Sequence, residues 1–222
     1  MKSKIKNVIF DYDGVIVDTM KSHIKIWNTI SKSLGNGENI TKEIVKERFL
    51  EGWQDFYQTT LGIPLIKINE ANEMYKKLSK KSKKPKLFPG IKKVIVSLFK
   101  KVPLYVVTGS LTKRVKDDLR EKGILKYFQD VWGHDEMPNL KKSQPEFILM
   151  PLKHWGIKPS EACSIGDTKA EIITGKLAGL YTIACTWGWN NYKLLKEAKP
   201  DFIVNKPSRI FKIINEFCNI NK

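Results

Sequence analysis

Val8-Ile9-Phe10-Asp11-Tyr12-Asp13-Gly14-Val15 is the stretch that decides the fold. Its first three residues are apolar without alternation, the pattern of a strand buried on both faces, as in a parallel sheet covered by helices. Ligands of such sheets bind beyond the carboxyl ends of the strands, where Asp11 and Asp13 would stand. Side chains repeat every second position, so both carboxylates extend to the same side, and Gly14 lets the chain turn away sharply. Two like charges so close call for a divalent cation or for protonation of one of them. An ordinary Asp- and Gly-containing turn after a strand is the competing reading of these residues alone.

Outward from this stretch the pattern divides. A helix is expected over residues 19–34, with Ile26, Trp27, Ile30 and Leu34 at helical spacing, ending at Gly35-Asn36-Gly37. Helical pattern returns over 41–50, where Thr41 suits an N-cap, and around 68–78, with no convincing strand between Asp18 and Lys86. Residues 18–85 therefore read as an all-helical cap inserted into a core made of 1–17 and 86–222. From Phe88-Pro89-Gly90 onward, strands near 104–107, 131, 162–165, 181–185 and 202–204 alternate with helices over 91–99, 112–122, 145–155 and 169–178 and a last helix to about 217. This alternation specifies an α/β fold with a Rossmann-like parallel sheet.

The composition narrows the function. The 222 residues carry a formal charge of +17, with 41% hydrophobic and 28% charged residues. Arg48, Arg114, Arg120 and Arg209 are the sole arginines, and the lysines are spread along the whole chain. Bidentate phosphate and base recognition favours arginine, so a dispersed solvated surface is the better reading than a nucleic-acid site. The densest run, Lys76 to Lys86, has only Tyr75 beside it for base stacking. Cys163, Cys185 and Cys218 are too few and too far apart for a disulfide framework or zinc site. No apolar run is long enough to span a bilayer, and Met1-Lys2-Ser3-Lys4 leads into a strand rather than a signal peptide, so a cytoplasmic protein is expected.

Polar residues close two further strands: Thr108-Gly109-Ser110 after the strand at 104–107, and Asp167 with Glu171 after the strand at 162–165. Brought together with Asp11 and Asp13, they offer acidic oxygens for a hard cation such as Mg2+ and hydroxyls and amides for phosphate oxygens. Lys142 then supplies positive charge to a carboxylate that would otherwise repel a phosphate dianion.

These residues resemble the haloacid-dehalogenase-like hydrolases with an inserted helical cap, in their phosphatase branch, from Asn7 to about Ile214. Asp11-Tyr12-Asp13-Gly14-Val15 is similar to the first motif of that family, with Val15 where Thr is commoner. Val106-Val107-Thr108-Gly109-Ser110 is similar to the second. Lys142-Ser143-Gln144-Pro145-Glu146 is similar to the third, with Ser143 replacing a Pro and Lys141 adjacent to the functional lysine. Gly166-Asp167-Thr168-Lys169-Ala170-Glu171 is similar to the fourth, with Glu171 in place of a second Asp.

The resemblance implies that Asp11 is the nucleophile, forming an aspartyl-phosphate, and that Asp13 is the acid that later activates water. It implies that Thr108, Gly109, Ser110 and Lys142 hold the phosphate. Mg2+ would be bound by Asp11, the backbone carbonyl of Asp13 and Asp167, with Glu171 in contact directly or through water. An acid at position 13 argues against carbon–halogen and carbon–phosphorus cleavage. The implied activity is a phosphomonoesterase acting on a small phosphorylated metabolite, phosphoglycolate-like, in a monomer or weak homo-oligomer. A sugar phosphomutase of the same family and an idle basic protein binding nucleic acid are the alternatives. His23, Trp27, Arg48, Trp53 and the Lys76 to Lys86 run are the candidate cap contacts, although Trp27 reads as core and His23 as an ordinary helix residue. The Trp187-Gly188-Trp189 loop is similar to one in phosphoglycolate-type phosphatases.

Overall fold

The computed structural model describes residues 5–138 and 140–218, the side chain of Cys218 excepted. The expectation for Met1–Lys4 lies outside the described residues. The chain runs β1 (Asn7–Phe10), β2 (Val17–Asp18), α1 (Met20–Leu34), α2 (Lys42–Arg48), α3 (Trp53–Thr59), α4 (Ile68–Lys80) and β3 (Lys86–Leu87). It continues through α5 (Ile91–Phe99), β4 (Leu104–Val107), α6 (Thr112–Glu121), β5 (Asp130–Trp132), α7 (Glu146–His154) and β6 (Ala162–Gly166). Finally come α8 (Lys169–Leu177), β7 (Tyr181–Cys185), α9 (Tyr192–Glu197), β8 (Phe202–Val204) and α10 (Ser208–Cys218).

Six strands form one parallel sheet in the order β5-β4-β1-β6-β7-β8. The unbroken apolar run of β1 has its reason in this position. Val8 and Phe10 pack with Ile91 and Ile95 of α5, Val115 and Leu119 of α6, and Ile210 and Ile214 of α10. Ile9, pointing the other way, packs with Phe147, Ile148 and Leu152 of α7. Strand β1 pairs with β4 through Phe10 and Val106 and with β6 through Phe10 and Ile165. The connections leave β1 toward β4 and β5 and then return to β6 on its other side, so the order of the strands reverses at β1. Its carboxyl end is the crevice in which open α/β sheets bind ligands. Cys163 and Cys185 are buried free thiols within β6 and β7, acting as small apolar side chains.

Helices α1 to α4 enclose a second hydrophobic cluster that includes Ile26, Trp27, Ile30, Val45, Phe56 and Leu61. Thr41 caps α2, its hydroxyl accepting from the Ile44 amide at 3.3 Å. Three elements here differ from the sequence expectation. Helix α3 has only seven residues, three of them aromatic, too short for a helical period to show. Strands β2 and β3 pair antiparallel, Val17 with Leu87 and Asp18 with Lys86, where the chain leaves and rejoins the sheet. A two-residue strand carries no alternation to detect. Helix α9, of six residues, escaped for the same reason and is announced only by its Asn191 cap, which accepts from the Leu194 amide at 3.0 Å.

One residue of the sheet domain belongs to the helical cluster. Trp189, after β7, is buried edge-on against Phe49 and Trp27, with ring centroids 4.7 and 5.5 Å away. Trp27 is core, as its helical spacing implied, with 1% exposure and Phe56 at 4.7 Å. Trp27→Ala leaves a cavity the size of an indole at this seam and is expected to cost about 3–5 kcal/mol, read as a lower denaturation midpoint in urea.

Candidate active site

Asp11 sits one residue past β1, its amide still bonded across to the Ile165 carbonyl at 2.9 Å, which extends the ladder and aims its carboxylate at the crevice. The carboxylate is 5% exposed. Lys142, from the loop before α7, donates to Asp11 Oδ1 at 2.7 Å and also pairs with Glu171. Its own carbonyl is tied to Thr174 Oγ1 of α8 at 2.8 Å, which fixes the loop on the helix. The neighbouring Lys141 is exposed and its amide turns back to Gln144, so Lys142 is the lysine that reaches the carboxylates.

Asp167 and Glu171 come from the end of β6 and the first turn of α8. Glu171 belongs to a capping box with Thr168, and its Oε2 accepts from the amides of Asp167 and Thr168 at 2.8 and 3.2 Å. Its Oε1 takes the Lys142 ammonium. Both oxygens of Glu171 are thereby engaged. Asp167 is fully buried, with Oδ2 accepting from the Trp189 amide at 2.6 Å. Backbone packs closely around it: a Cβ on Gly14 or on Gly188 would lie 2.1 Å from Asp167 Oδ2. Gly14 also has φ +89°, so both shape and conformation demand glycine there.

One oxygen from each of Asp11, Asp167 and Glu171 lies within 4.8 Å of the others. Three carboxylates share one ammonium, and among the described residues the buried oxygens Asp11 Oδ2, Asp13 Oδ1 and Asp167 Oδ1 have no hydrogen-bond partner. Burial and the facing Glu171 carboxylate push Asp11 well above the ordinary carboxylate range, against the pull of Lys142. Burial, with Glu171 and Asp11, pushes Asp167 up in the same way. Burial works against the charge of Lys142, but Asp11 and Glu171 outweigh it and hold the ammonium protonated. An all-oxygen set with unpartnered atoms and an uncompensated formal charge of about −2 suits a hard divalent cation, whose ligands stand about 4 Å apart across an octahedron. The residues present fit Mg2+.

Asp13 faces the other way. Its Oδ2 accepts from Ser110 Oγ at 2.7 Å, and it is not among the three clustered carboxylates. Burial raises Asp13, yet charge from His23 and Arg114 and the Ser110 bond more than offset this and lower it. Burial also keeps His23 below its usual value, so at neutral pH Arg114 and Ser110 carry the effect. The Ser110 amide donates to Thr108 Oγ1 at 3.1 Å. Ser110 thus bonds Thr108 with its amide and Asp13 with its hydroxyl. The Thr108 hydroxyl proton and the Gly109 amide remain on that loop, and a Cβ on Gly109 would lie 3.8 Å from Lys142 Cε.

The cap candidates separate clearly. His23 is 8% exposed rather than an ordinary helix residue; Nδ1–H donates to the Thr19 carbonyl at 2.9 Å, and Nε2 accepts from Tyr75 Oη at 2.7 Å. Arg48 is exposed and pairs with Glu38, and Trp53 packs on Tyr57 within the cap. The lysines from Lys76 to Lys86 are exposed, with Lys76 paired to Glu73 and Lys84 to Glu121. Trp187-Gly188-Trp189 touches the site through the Trp189 amide. Next to it, the Asn190 side chain bonds the Phe49 carbonyl of the cap and the Lys169 amide, at 2.8 and 2.6 Å. Sequence reading missed Arg114, Tyr75 and Asn190 as site residues; each matters only through partners far along the chain, and no local pattern marks them.

The sequence model of the family described as "Haloacid dehalogenase-like hydrolase" matches residues 8–185. The chain is 25% identical over 225 residues to the phosphoglycolate phosphatase of Vibrio vulnificus, covering 96% of this chain and 97% of that one. It is 29% identical over 217 residues to the "Putative pyrophosphatase PpaX" of Caldanaerobacter subterraneus, covering 95% of each. A haloacid dehalogenase-like family hydrolase of Streptococcus pneumoniae shares the fold, with a TM-score of 0.83 at 24% identity over 94% of this chain and 98% of that one. With the family match spanning most of the chain and four motifs converging on one crevice, this protein belongs to the haloacid dehalogenase-like hydrolases.

Proposed function

We propose that this hydrolase is a Mg2+-dependent phosphomonoesterase for a small, phosphoglycolate-like phosphate ester, working through a phosphorylated Asp11 in the cytoplasm. The observation that carries the reading is the pair of buried, unpartnered oxygens, Asp11 Oδ2 and Asp13 Oδ1, on carboxylates two residues apart but in opposite surroundings. The near full-length similarity to a phosphoglycolate phosphatase supports the substrate class. Among the described residues no helix is long and apolar enough to cross a membrane.

In this reading an Asp11 oxygen attacks phosphorus as the bond to the leaving oxygen breaks, and Asp13, ionised before substrate enters, passes to that oxygen the proton it takes up from the incoming phosphate monoanion. Asp13, now ionised, takes a proton from water; the water attacks phosphorus, the Asp11–phosphorus bond breaks, and inorganic phosphate leaves. Lys142 anchors Asp11 and offsets its charge against the incoming dianion. The Thr108 hydroxyl and the Gly109 amide hold the non-bridging oxygens. Asp11, Asp167 and the Asp13 carbonyl would hold Mg2+, which orients the phosphoryl group and offsets its charge. Glu171, with both oxygens already bonded, fits contact through water better than direct ligation.

Asp11→Asn is expected to abolish phosphate release while the circular-dichroism spectrum is kept; retained turnover sinks the mechanism. Asp13→Asn should lower kcat/KM, which reports phosphorylation of Asp11, by about 10²–10⁴-fold on alkyl phosphates and much less on p-nitrophenyl phosphate, whose leaving group needs no proton, while kcat falls on both because the water of the second step loses its base. Product analysis with a hexose 1-phosphate separates release of inorganic phosphate from return of the phosphoryl group to the sugar.

Metal binding has a readout apart from turnover. Folded-state values of Asp11 and Asp167 are raised, so without a cation these groups favour the fold in acid and oppose it as pH rises through those values. Mg2+ binds the ionised form. At pH 7.5 a concentration 100 times Kd should stabilise the fold by about 2.7 kcal/mol, seen as a higher Tm, and the gain should shrink at pH 5.5. A gain that stays constant or grows in acid contradicts this site.

A further inference from the structure

The Asp13 side of the crevice holds a cation that the chemistry above does not use. Arg114 lies in α6, and its Nη1 donates at 3.3 Å to the Ser110 hydroxyl that in turn donates to Asp13 at 2.7 Å. The guanidinium also faces the Tyr75 hydroxyl of the cap. That hydroxyl gives its proton to His23, so its lone pairs are left for Arg114. Burial raises Tyr75 to about 12, which keeps it a neutral phenol.

Two neutral hydroxyls, one from the sheet domain and one from the cap, therefore position a fork of five donors, and the Asp13 carboxylate beyond Ser110 is the charge that favours the cation most. Arg48 and Arg120 pair with Glu38 and Asp117; among the described residues Arg114 has no carboxylate within 4.0 Å, and its side chain stays accessible to solvent. The site thus has two charged poles. Lys142 and the carboxylates take the transferred phosphoryl group, and the leaving oxygen must reach Asp13, whose Oδ1 is unpartnered among the described residues and whose Oδ2 is linked to Arg114 through the Ser110 hydroxyl. A group bonded to that oxygen lies beside Asp13, one hydroxyl away from the guanidinium. A planar fork recognises a carboxylate or a phosphate by paired hydrogen bonds.

We infer that Arg114 is a specificity-determining residue that binds a second anionic group on the leaving portion of the substrate. The substrate class is then a phosphate ester or anhydride bearing a carboxylate or another phosphate a few bonds beyond the bridging oxygen. This inference rests on the phosphatase reading, and its test is built so that the two can fail separately.

Wild type, Arg114→Met and Arg114→Lys are assayed on phosphoglycolate, pyrophosphate and ethyl phosphate, the last having an uncharged leaving group. One charge-assisted contact corresponds to about 10–100-fold. In Arg114→Met the ratio of kcat/KM for phosphoglycolate or pyrophosphate over that for ethyl phosphate should fall by this factor, mainly through KM, with Arg114→Lys in between. Whichever of the two charged substrates shows the fall names the anion as carboxylate or phosphate. An equal loss on all three, with the ratio unchanged, shows that Arg114 acts only through Ser110 and Asp13 and overturns the inference. Calorimetric binding of the same three compounds to Asp11→Asn, with and without Arg114→Met, gives the answer without turnover. Tighter binding of a charged compound that disappears with Arg114→Met supports the inference even where no hydrolysis occurs, an outcome that defeats the phosphatase reading alone; no preference for the charged compounds defeats the inference.

Discussion

Uncompensated negative charge at the carboxyl ends of β1 and β6 is the constraint around which the rest of the structure is arranged. Asp11, Asp167 and Glu171 crowd within 4.8 Å with Lys142 as their cation, in surroundings where an unpaired charge is costly. Stability alone would place apolar side chains here. The fold instead surrounds the cluster with fixed dipoles: the amides of Asp167, Thr168 and Trp189 and the first turn of α8. Glycines 14 and 188 let backbone approach where no side chain fits. Among the described residues one oxygen each of Asp11 and Asp167 still stays without a partner, which is what the proposed cation would meet.

The same charge is divided unequally between two aspartates two residues apart. Asp11 faces carboxylates and a lysine and is raised; Asp13 faces a hydroxyl and an arginine and is lowered. Burial among carboxylates holds the one up, while a hydroxyl and a guanidinium hold the other down, so two aspartates two residues apart do not ionise alike. The two poles differ in their connections as well. The carboxylate cluster is built from β1, β6 and α8, whereas the surroundings of Asp13 combine Ser110 and Arg114 of the sheet domain with Tyr75 and His23 of the helical insert.

The cap is therefore more than a cover. It rests on the sheet domain through the β2–β3 pair, through Trp189 seated in its aromatic cluster, and through Asn190 bonded to the Phe49 carbonyl. Trp189 gives its amide to Asp167 and its ring to Trp27 and Phe49. One loop thus ties a metal-site carboxylate to the position of the cap.

Local sequence was sufficient for the parallel α/β core, the bounds of most of its strands and helices, and the placing of Asp11, Asp13, Thr108 and Asp167 at strand ends. Each follows from short-range physics: apolar runs mark strands buried on both faces, and polar residues with glycine mark their exits. Short elements such as α3, α9 and the β2–β3 pair carry too few residues to express a period. Lys142 was separated from Lys141 only by the fold, which brings it to Asp11 across 131 positions. Arg114 read as one more surface charge in a strongly basic chain, and Tyr75 as part of a lysine run. Their meaning arises when strand order and cap docking place them beside Asp13, because the energy of a charge is set by its neighbours in space and by what water is excluded, neither of which a linear sequence displays.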